Sequence, residues 1–455
     1  MTDFTRCTAT ELADLYRTGS ASPVTVVEQV LAKIERLNPV LNAFCFTDPA
    51  TTLAQAQASE RRWQQGQQLS DLDGVPVALK DSILTCGWPT LKGSRTIDPD
   101  QPWLEDAPVS ARLREAGVVF VGKTTMSEFG SDNHSSNSIA HGIVCNPWNI
   151  NQTPGGSSGG SAVAVSAGLV PLAIGSDFGG SIAVPSSFCG TMGLKPSFGR
   201  VPQYPNNGLN FSTVGPMARS AKDLAIAMNI ITQPDVRDWM CLPQCGTDYT
   251  KDLNKEIRGL RVAHYQSLNN NANKEIQTAV DTVATWLSAQ DAEVKSVDID
   301  VGDLENIFIN LTIPELLQQW TDVPVDRQHL TDRKIQRQSI LAHKKIDLYY
   351  WINQRKELIV NMHKFMQSYD VIIVPATTVT PDQITEINEE FFLSLFSLLF
   401  YATQQPAVTV PIGLNSNSMP VSVMVAGAVY NEGCVLQVAR ALESAFPMPH
   451  PPLFY

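Results

Sequence analysis

The chain has no run of lysine or arginine, although it holds 33 basic residues, and its formal charge is −12. Counterion release from nucleic acid needs clustered cations, so DNA and RNA are disfavoured as partners. Long apolar runs are also missing. The strongest, residues 391–400, falls well short of the roughly 18 needed to cross a bilayer and predicts a buried helix. No basic, apolar and small-residue signal opens the sequence, since residues 1–10 are polar and mixed. The eight cysteines are scattered, and only Cys241 and Cys245 lie near one another. Without a second pair that spacing makes no zinc site, and neither metal nor cofactor is expected. Free thiols in a reducing compartment follow, as does a cytoplasmic location without a membrane span. Proline- or serine-rich linkers are absent too, so one domain over 1–455 is expected.

What is present is 43% hydrophobic content, enough for a large core. Residues 1–70 read as mainly helical. Thr8 and Glu11 fit a capping box, Gly19 ends that helix, and Ser22 caps the next with Pro23 in its first turn. Val27, Val30, Leu31, Ile34 and Leu37 recur at helical spacing, and Asn38-Pro39 is expected to stop the helix. From residue 74 onward short apolar runs alternate with helical patterns. Strands are predicted at 74–80, 118–121, 371–374, 407–412 and 420–425. Helices are predicted at 109–116, 158–167, 348–366 and 434–446. The 158–167 helix is built almost wholly of small residues, which permits close backbone approach. In 348–366, Trp351, Ile352, Leu358, Ile359, Met362 and Phe365 are expected on one broad face. Strands separated by helices predict an α/β protein, a central mixed β-sheet covered by helices on both faces. Residues 74–215 form the expected catalytic core, and 235–345 a variable helical or inserted region.

Three motifs compete for the chemistry. Gly117 to Thr124 spells a P-loop, but its middle residues Val118, Val119, Phe120 and Val121 want to be a strand, and a helix precedes them. A phosphate cradle needs the reverse context. Gly155-Gly156-Ser157-Ser158-Gly159 fits the nucleophile elbow of an α/β-hydrolase. That reading needs a histidine at a strand-end turn; His343 and His363 lie in helical patterns, and His450 in a proline-rich tail. The third reading joins three pieces. Ser181 closes the turn Gly175-Ser176-Asp177-Phe178-Gly179-Gly180-Ser181, Ser157 sits in a second glycine-serine cluster, and Lys80 ends the apolar run Val75-Pro76-Val77-Ala78-Leu79.

Gly155 to Ser161, then Gly179-Gly180-Ser181-Ile182 with Pro185, and Gly193-Leu194-Lys195-Pro196 closely resemble the amidase signature family. Gly74 to Asp81, Gly122-Lys123-Thr124, Asn146-Pro147-Trp148 and Val410-Pro411-Ile412-Gly413 extend the likeness along nearly the whole chain. The resemblance implies the amidase signature fold and an amidohydrolase with Ser181 as nucleophile, Ser157 as bridging serine and Lys80 as general base. It implies a cis peptide between Gly156 and Ser157, and oxyanion donors in the backbone amides of Phe178, Gly179, Gly180 and Ser181. The implied mechanism is a Ser-Ser-Lys proton relay leading to an acyl-enzyme. A free lysine, with a pKa of roughly 10.4, is a poor base at neutral pH. Burial at the end of an apolar strand would lower that value.

Two positions depart from the family's habit. Phe178 stands where small hydroxyl residues are frequent, and Ala183 where arginine often follows Ser-Ile. Both point to a neutral, partly apolar amide as the small-molecule substrate. Met126, Phe129 and Phe178 are the candidate pocket residues. The leading expectation is a free-standing amidase releasing ammonia or an amine; a homodimer is common in such enzymes. The alternative is a glutaminase subunit of a tRNA-dependent amidotransferase complex.

Overall fold

The computed structural model describes all residues except 1, 207–211, 245, 266–271, 333–334, 337–345, 386–394 and 455. Eleven strands form one sheet: β1 (Phe44–Thr47), β2 (Pro76–Lys80), β3 (Val119–Thr124), β4 (Leu172–Asp177), β5 (Met192–Lys195), β6 (Thr213–Ala218), β7 (Arg261–Tyr265), β8 (Glu293–Val297), β9 (Val371–Pro375), β10 (Ala407–Leu414) and β11 (Pro420–Gly427). Their order is β1-β3-β2-β4-β6-β5-β10-β11-β9-β7-β8. Strands β3, β2 and β4 run parallel, as do β9, β7 and β8, and the pairings between these two blocks are antiparallel. The sheet is therefore mixed, as expected. Residues 261–265 and 293–297, inside the segment expected to be an insertion, are strands of this same sheet.

Alternation along each strand explains how helices cover both faces. Val77, Leu79, Leu172, Ile174, Ile373, Val423 and Val425 enter one apolar cluster. Their in-between neighbours Ala78 and Ala173, and Ile372 and Met424, enter clusters on the opposite side. The first cluster is closed by α1 (Ala9–Arg17), α4 (Pro108–Glu115), α7 (Ala221–Ile231), α8 (Lys274–Ala289) and α12 (Glu432–Ala445). On the other face lie α2 (Pro23–Leu41), α5 (Gly159–Ser166), α6 (Ala183–Cys189), α9 (Leu304–Thr321), α10 (Leu348–Met366) and α11 (Leu395–Ala402); α3 (Pro49–Gln65) packs against α2 and β3.

Most local signals act as read. The Thr8–Glu11 capping box forms, and Ser22 caps α2 through the Thr25 amide. The expected stop at Asn38-Pro39 is wrong, because α2 continues to Leu41 with Pro39 inside it. A proline this close to the end removes only one ladder hydrogen bond, and the turn is closed instead by Asn42 in the left-handed conformation, donating to Asn38 O at 2.7 Å. In α10, Ile352 is 43% exposed and leaves the apolar face. Arg355 takes the inner position, donating from Nε to Ala402 O at 2.8 Å. Helix α11 confirms burial of Phe396, Leu398, Leu399 and Phe400; 391–394 lie outside the described residues, as does Cys245. Among the described residues no helix is long and apolar enough to cross a membrane.

Candidate active site

Strands β2 and β4 are parallel neighbours with Leu79 opposite Ile174. Their C-terminal ends therefore arrive together, and such ends are where open α/β sheets carry their sites. Val77, Ala78 and Leu79 are fully buried, which carries Lys80 into the interior at 0% exposure. Its Nζ donates to Ser157 Oγ at 2.7 Å, to Ser176 Oγ at 2.9 Å and towards Ser176 O at 3.3 Å. Burial pulls the Lys80 ammonium down to about 7, against the opposing pull of the Asp177 carboxylate. A lysine so placed is substantially neutral near pH 7 and able to accept a proton.

Ser157 is held in place by its surroundings. The Gly156–Ser157 peptide is cis. Gly156 N–H donates to Asn133 O at 2.8 Å, and any Cβ at this glycine would overlap Ser135 O. Ser136 Oγ lies 3.0 Å from Gly155 O and 3.1 Å from Ser157 O, and accepts the Gly159 N–H at 2.7 Å. Helix α5 starts at that point, so its amino end faces the serine turn. Ser158 N–H donates to Ser181 O at 3.1 Å, which ties the two serine turns together. Ser181 itself is 5% exposed.

The turn that carries Ser181 wraps around a carboxylate. Asp177 Oδ1 accepts the amides of Gly179 (3.0 Å) and Gly180 (2.7 Å), and Oδ2 those of Ile182 (2.7 Å) and Ala183 (3.3 Å). Gly179 has φ 117°, a backbone open to glycine, and a Cβ there would stand 2.8 Å from the Phe308 ring. Gly179 and Gly180 direct their amides inward to Asp177, leaving those of Phe178 and Ser181, which make no such bond to the carboxylate.

The wall beside the turn is aromatic. Phe178 meets Tyr401 at 5.1 Å and Phe308 at 6.1 Å between centroids, and Phe308 meets Tyr401 at 5.6 Å. Met126 is buried, and both its Cε and Ser157 Oγ lie within 4 Å of a Cβ built at Gly130. Phe129, at φ 52°, forms the turn just before that glycine and donates its amide to Lys92 O at 2.8 Å. Ala183 is buried within the apolar cluster that includes Leu398 and Met424. Sequence reasoning missed Ser136, Ser176, Phe308 and Tyr401; only Ser176 carried a signal, as a hydroxyl beside the motif on the strand facing Lys80.

The competing motifs resolve on the same geometry. Gly122-Lys123-Thr124 belongs to β3, with Gly122 paired to Ala78 and Thr47, so no phosphate loop exists there. The Ser157 hydroxyl meets a lysine where the elbow reading wants a histidine; of the histidines weighed for that role, His343 lies outside the described residues.

A sequence model of the Amidase family matches residues 25–436. The chain belongs to that family, the amidase signature class. A glutamyl-tRNA(Gln) amidotransferase subunit from Chloroflexus aggregans (strain MD-66 / DSM 9485) is 31% identical over 477 residues, covering 97% of each chain. The same-named protein of Chloroflexus aurantiacus (strain ATCC 29366 / DSM 635 / J-10-fl) is 43% identical, but over 58% of this chain and 54% of the relative. In that match the chain spans about half the relative's length. Among solved structures, 6-aminohexanoate cyclic dimer hydrolase superposes with a TM-score of 0.91 at 25% identity, covering all of both chains. A bacterial aryl acylamidase of the amidase signature family gives 0.88 at 25%, covering 97% and 96%. The peptide amidase of Stenotrophomonas maltophilia gives 0.86 at 26%, covering 99% of each.

Proposed function

We propose that the chain cleaves a carboxamide C–N bond through a Ser-Ser-Lys relay and an acyl-enzyme. The 2.7 Å contact between the buried Lys80 Nζ and Ser157 Oγ carries this reading. Neutral Lys80 takes the Ser157 proton, Ser157 takes the Ser181 proton, and Ser181 Oγ attacks the carbonyl carbon. Negative charge then develops on the carbonyl oxygen, facing the Phe178 and Ser181 amides. As the C–N bond breaks, the relay returns the proton to the departing nitrogen. Water, deprotonated by the same relay, releases the acid. The Phe178–Phe308–Tyr401 wall and the methyl group at Ala183 support a neutral acyl group with apolar character.

By name, the curated relatives favour the alternative of a glutaminase subunit over a free-standing enzyme. Under that reading the acyl donor is glutamine, and a partner protein receives the ammonia. Residues 1–455 as a single catalytic domain, in the cytoplasm, suit both readings. Ammonia release by the purified chain from glutamine and from aliphatic and aryl amides, beside Ser181→Ala, separates them. Turnover of aryl or alkyl amides alone supports the free-standing enzyme; turnover of glutamine confined to a partner complex supports the glutaminase. A fluorophosphonate adduct on Ser157 in place of Ser181 would overturn the relay.

A further inference from the structure

We propose that Cys45, Asp81 and His141 form a binding site for a thiophilic divalent cation of the zinc type. Their donor atoms, one thiol sulfur, one carboxylate oxygen and one imidazole nitrogen, all lie within 4.8 Å of one another. They come from three separate segments: Cys45 on β1, Asp81 directly after the end of β2, and His141 in the loop leading to Asn146. No sequence spacing announces the trio, because 36 and 60 residues separate its members.

Each ligand is preset. Asp81 accepts the Leu91 amide on Oδ1 at 3.1 Å and the Gly93 amide on Oδ2 at 2.8 Å, which fixes its plane. The His141 backbone is anchored through its carbonyl to Asn42 Nδ2 at 2.8 Å and through its amide to Ser138 Oγ at 3.0 Å. The His141 Nε2 atom is buried with no hydrogen-bond partner. It stands 3.6 Å from Asp81 Oδ2, too far for a hydrogen bond. Donors in a tetrahedral zinc site stand roughly 3.3–3.6 Å apart, from metal–ligand bonds of roughly 2.0–2.3 Å. Cys45 Sγ makes a weak 3.4 Å contact to Lys123 O and interacts with the Thr125 hydroxyl, contacts that coordination would replace.

Sulfur and imidazole ligands select zinc and cobalt over magnesium and calcium. The charges opposing a cation are the Lys123 ammonium, which binds Ile83 O, Thr85 Oγ1 and Thr90 Oγ1 and interacts with both Asp81 and Cys45, and Lys92, which interacts with Asp81. Burial and the Asp81 carboxylate hold the Cys45 thiol protonated, so the ligands that offset these charges are Asp81 and the thiolate Cys45 becomes when the cation displaces its proton. Bound here, the cation staples the His141 loop to β1 and β2. The same loop carries Asn133 and Ser136, which hold the Gly156–Ser157 turn.

The test uses the full chain stripped of metal and titrated with Co(II), which gives a thiolate-to-cobalt charge-transfer band in the near ultraviolet. One equivalent is expected to bind, to be displaced by Zn(II), and to raise the melting temperature. Cys45→Ser should abolish the band, and His141→Ala should weaken binding at least roughly 100-fold. Cys86→Ser, at an exposed cysteine elsewhere, should change neither. Absence of the band in the parent chain, or its persistence in both Cys45→Ser and His141→Ala, overturns the proposal.

Discussion

If Lys80 is the base, the rate must follow its neutral fraction. With a pKa of about 7, that fraction is roughly 0.09 at pH 6 and roughly 0.9 at pH 8. An unperturbed lysine would be only about 0.003 neutral at pH 8, so burial gains some 300-fold in usable base. The assay is kcat/KM between about pH 5.5 and 9 on an amide that does not titrate. One acid limb with midpoint near 7 and a plateau above it are expected. The same shift destabilises the fold. Unfolded Lys80 keeps its proton to about 10.5 and folded Lys80 loses it near 7, so the unfolded state binds more protons between these values. Stability contributed by this group therefore rises with pH through that window. The shift corresponds to an upper bound of about 5 kcal/mol. Lys80→Met should be inactive, better folded at pH 7, and should lose that part of the pH dependence. A flat rate profile down to pH 5.5, or a midpoint above 9, refutes the reasoning.

Ser181→Ala should lower kcat by at least roughly 10³-fold, and Ser157→Ala by roughly 10²–10⁴-fold, with KM little changed in single-turnover assays. Gly179→Ala forces a φ of 117° on a side chain and drives its Cβ into Phe308; denaturant titration should show a loss of about 1–3 kcal/mol, with activity nearly abolished. Phe308→Ala removes one ring of the aromatic trio. It should cost about 3 kcal/mol at most, since the ring is only partly buried, and should shift kcat/KM towards bulkier acyl groups in a substrate series.

Where the sequence carried local signals, it was readable. The Thr8–Glu11 capping box, the strand end at Lys80, and the small-residue helix α5 each follow from neighbouring residues alone, whereas β4 runs on to Asp177, into residues read as a turn. The covering of both sheet faces also follows from strands that are apolar throughout. Long-range features were not readable in the same way. Phe308 and Tyr401 reach Phe178 from helix α9 and from α11, and nothing in either helix pattern says which face will meet the turn carrying Ser181. The helix extending past Pro39 depended on Asn42, a residue outside the stop signal. Strand β8 looks polar in sequence because it is a half-exposed edge, while the buried β7 is short and carries Arg261 and His264, so the stretch around them passes for an insertion. The Cys45–Asp81–His141 trio arises only when β1, β2 and a loop are brought together.

Asp177 joins the geometry of the Ser181 turn to the proton affinity of Lys80, and one isosteric change separates these two effects. Its two oxygens accept four amides, and its charge is the group opposing the desolvation of Lys80. In Asp177→Asn the amide oxygen still accepts two N–H groups. The new NH₂ cannot accept the other two, so on the orientation that keeps Gly179 and Gly180 paired, Ile182 and Ala183 lose their acceptor. Each unsatisfied buried amide costs about 1–3 kcal/mol, and the turn carrying Ser181 loosens, so kcat should fall. The carboxylate charge is lost at the same time, which leaves the Lys80 ammonium less favoured, and the acid limb should move below the parent midpoint. A purely structural role for Asp177 predicts reduced kcat with an unmoved limb. A limb moving to higher pH would contradict the electrostatic assignment, because removing a nearby negative charge cannot make an ammonium harder to deprotonate.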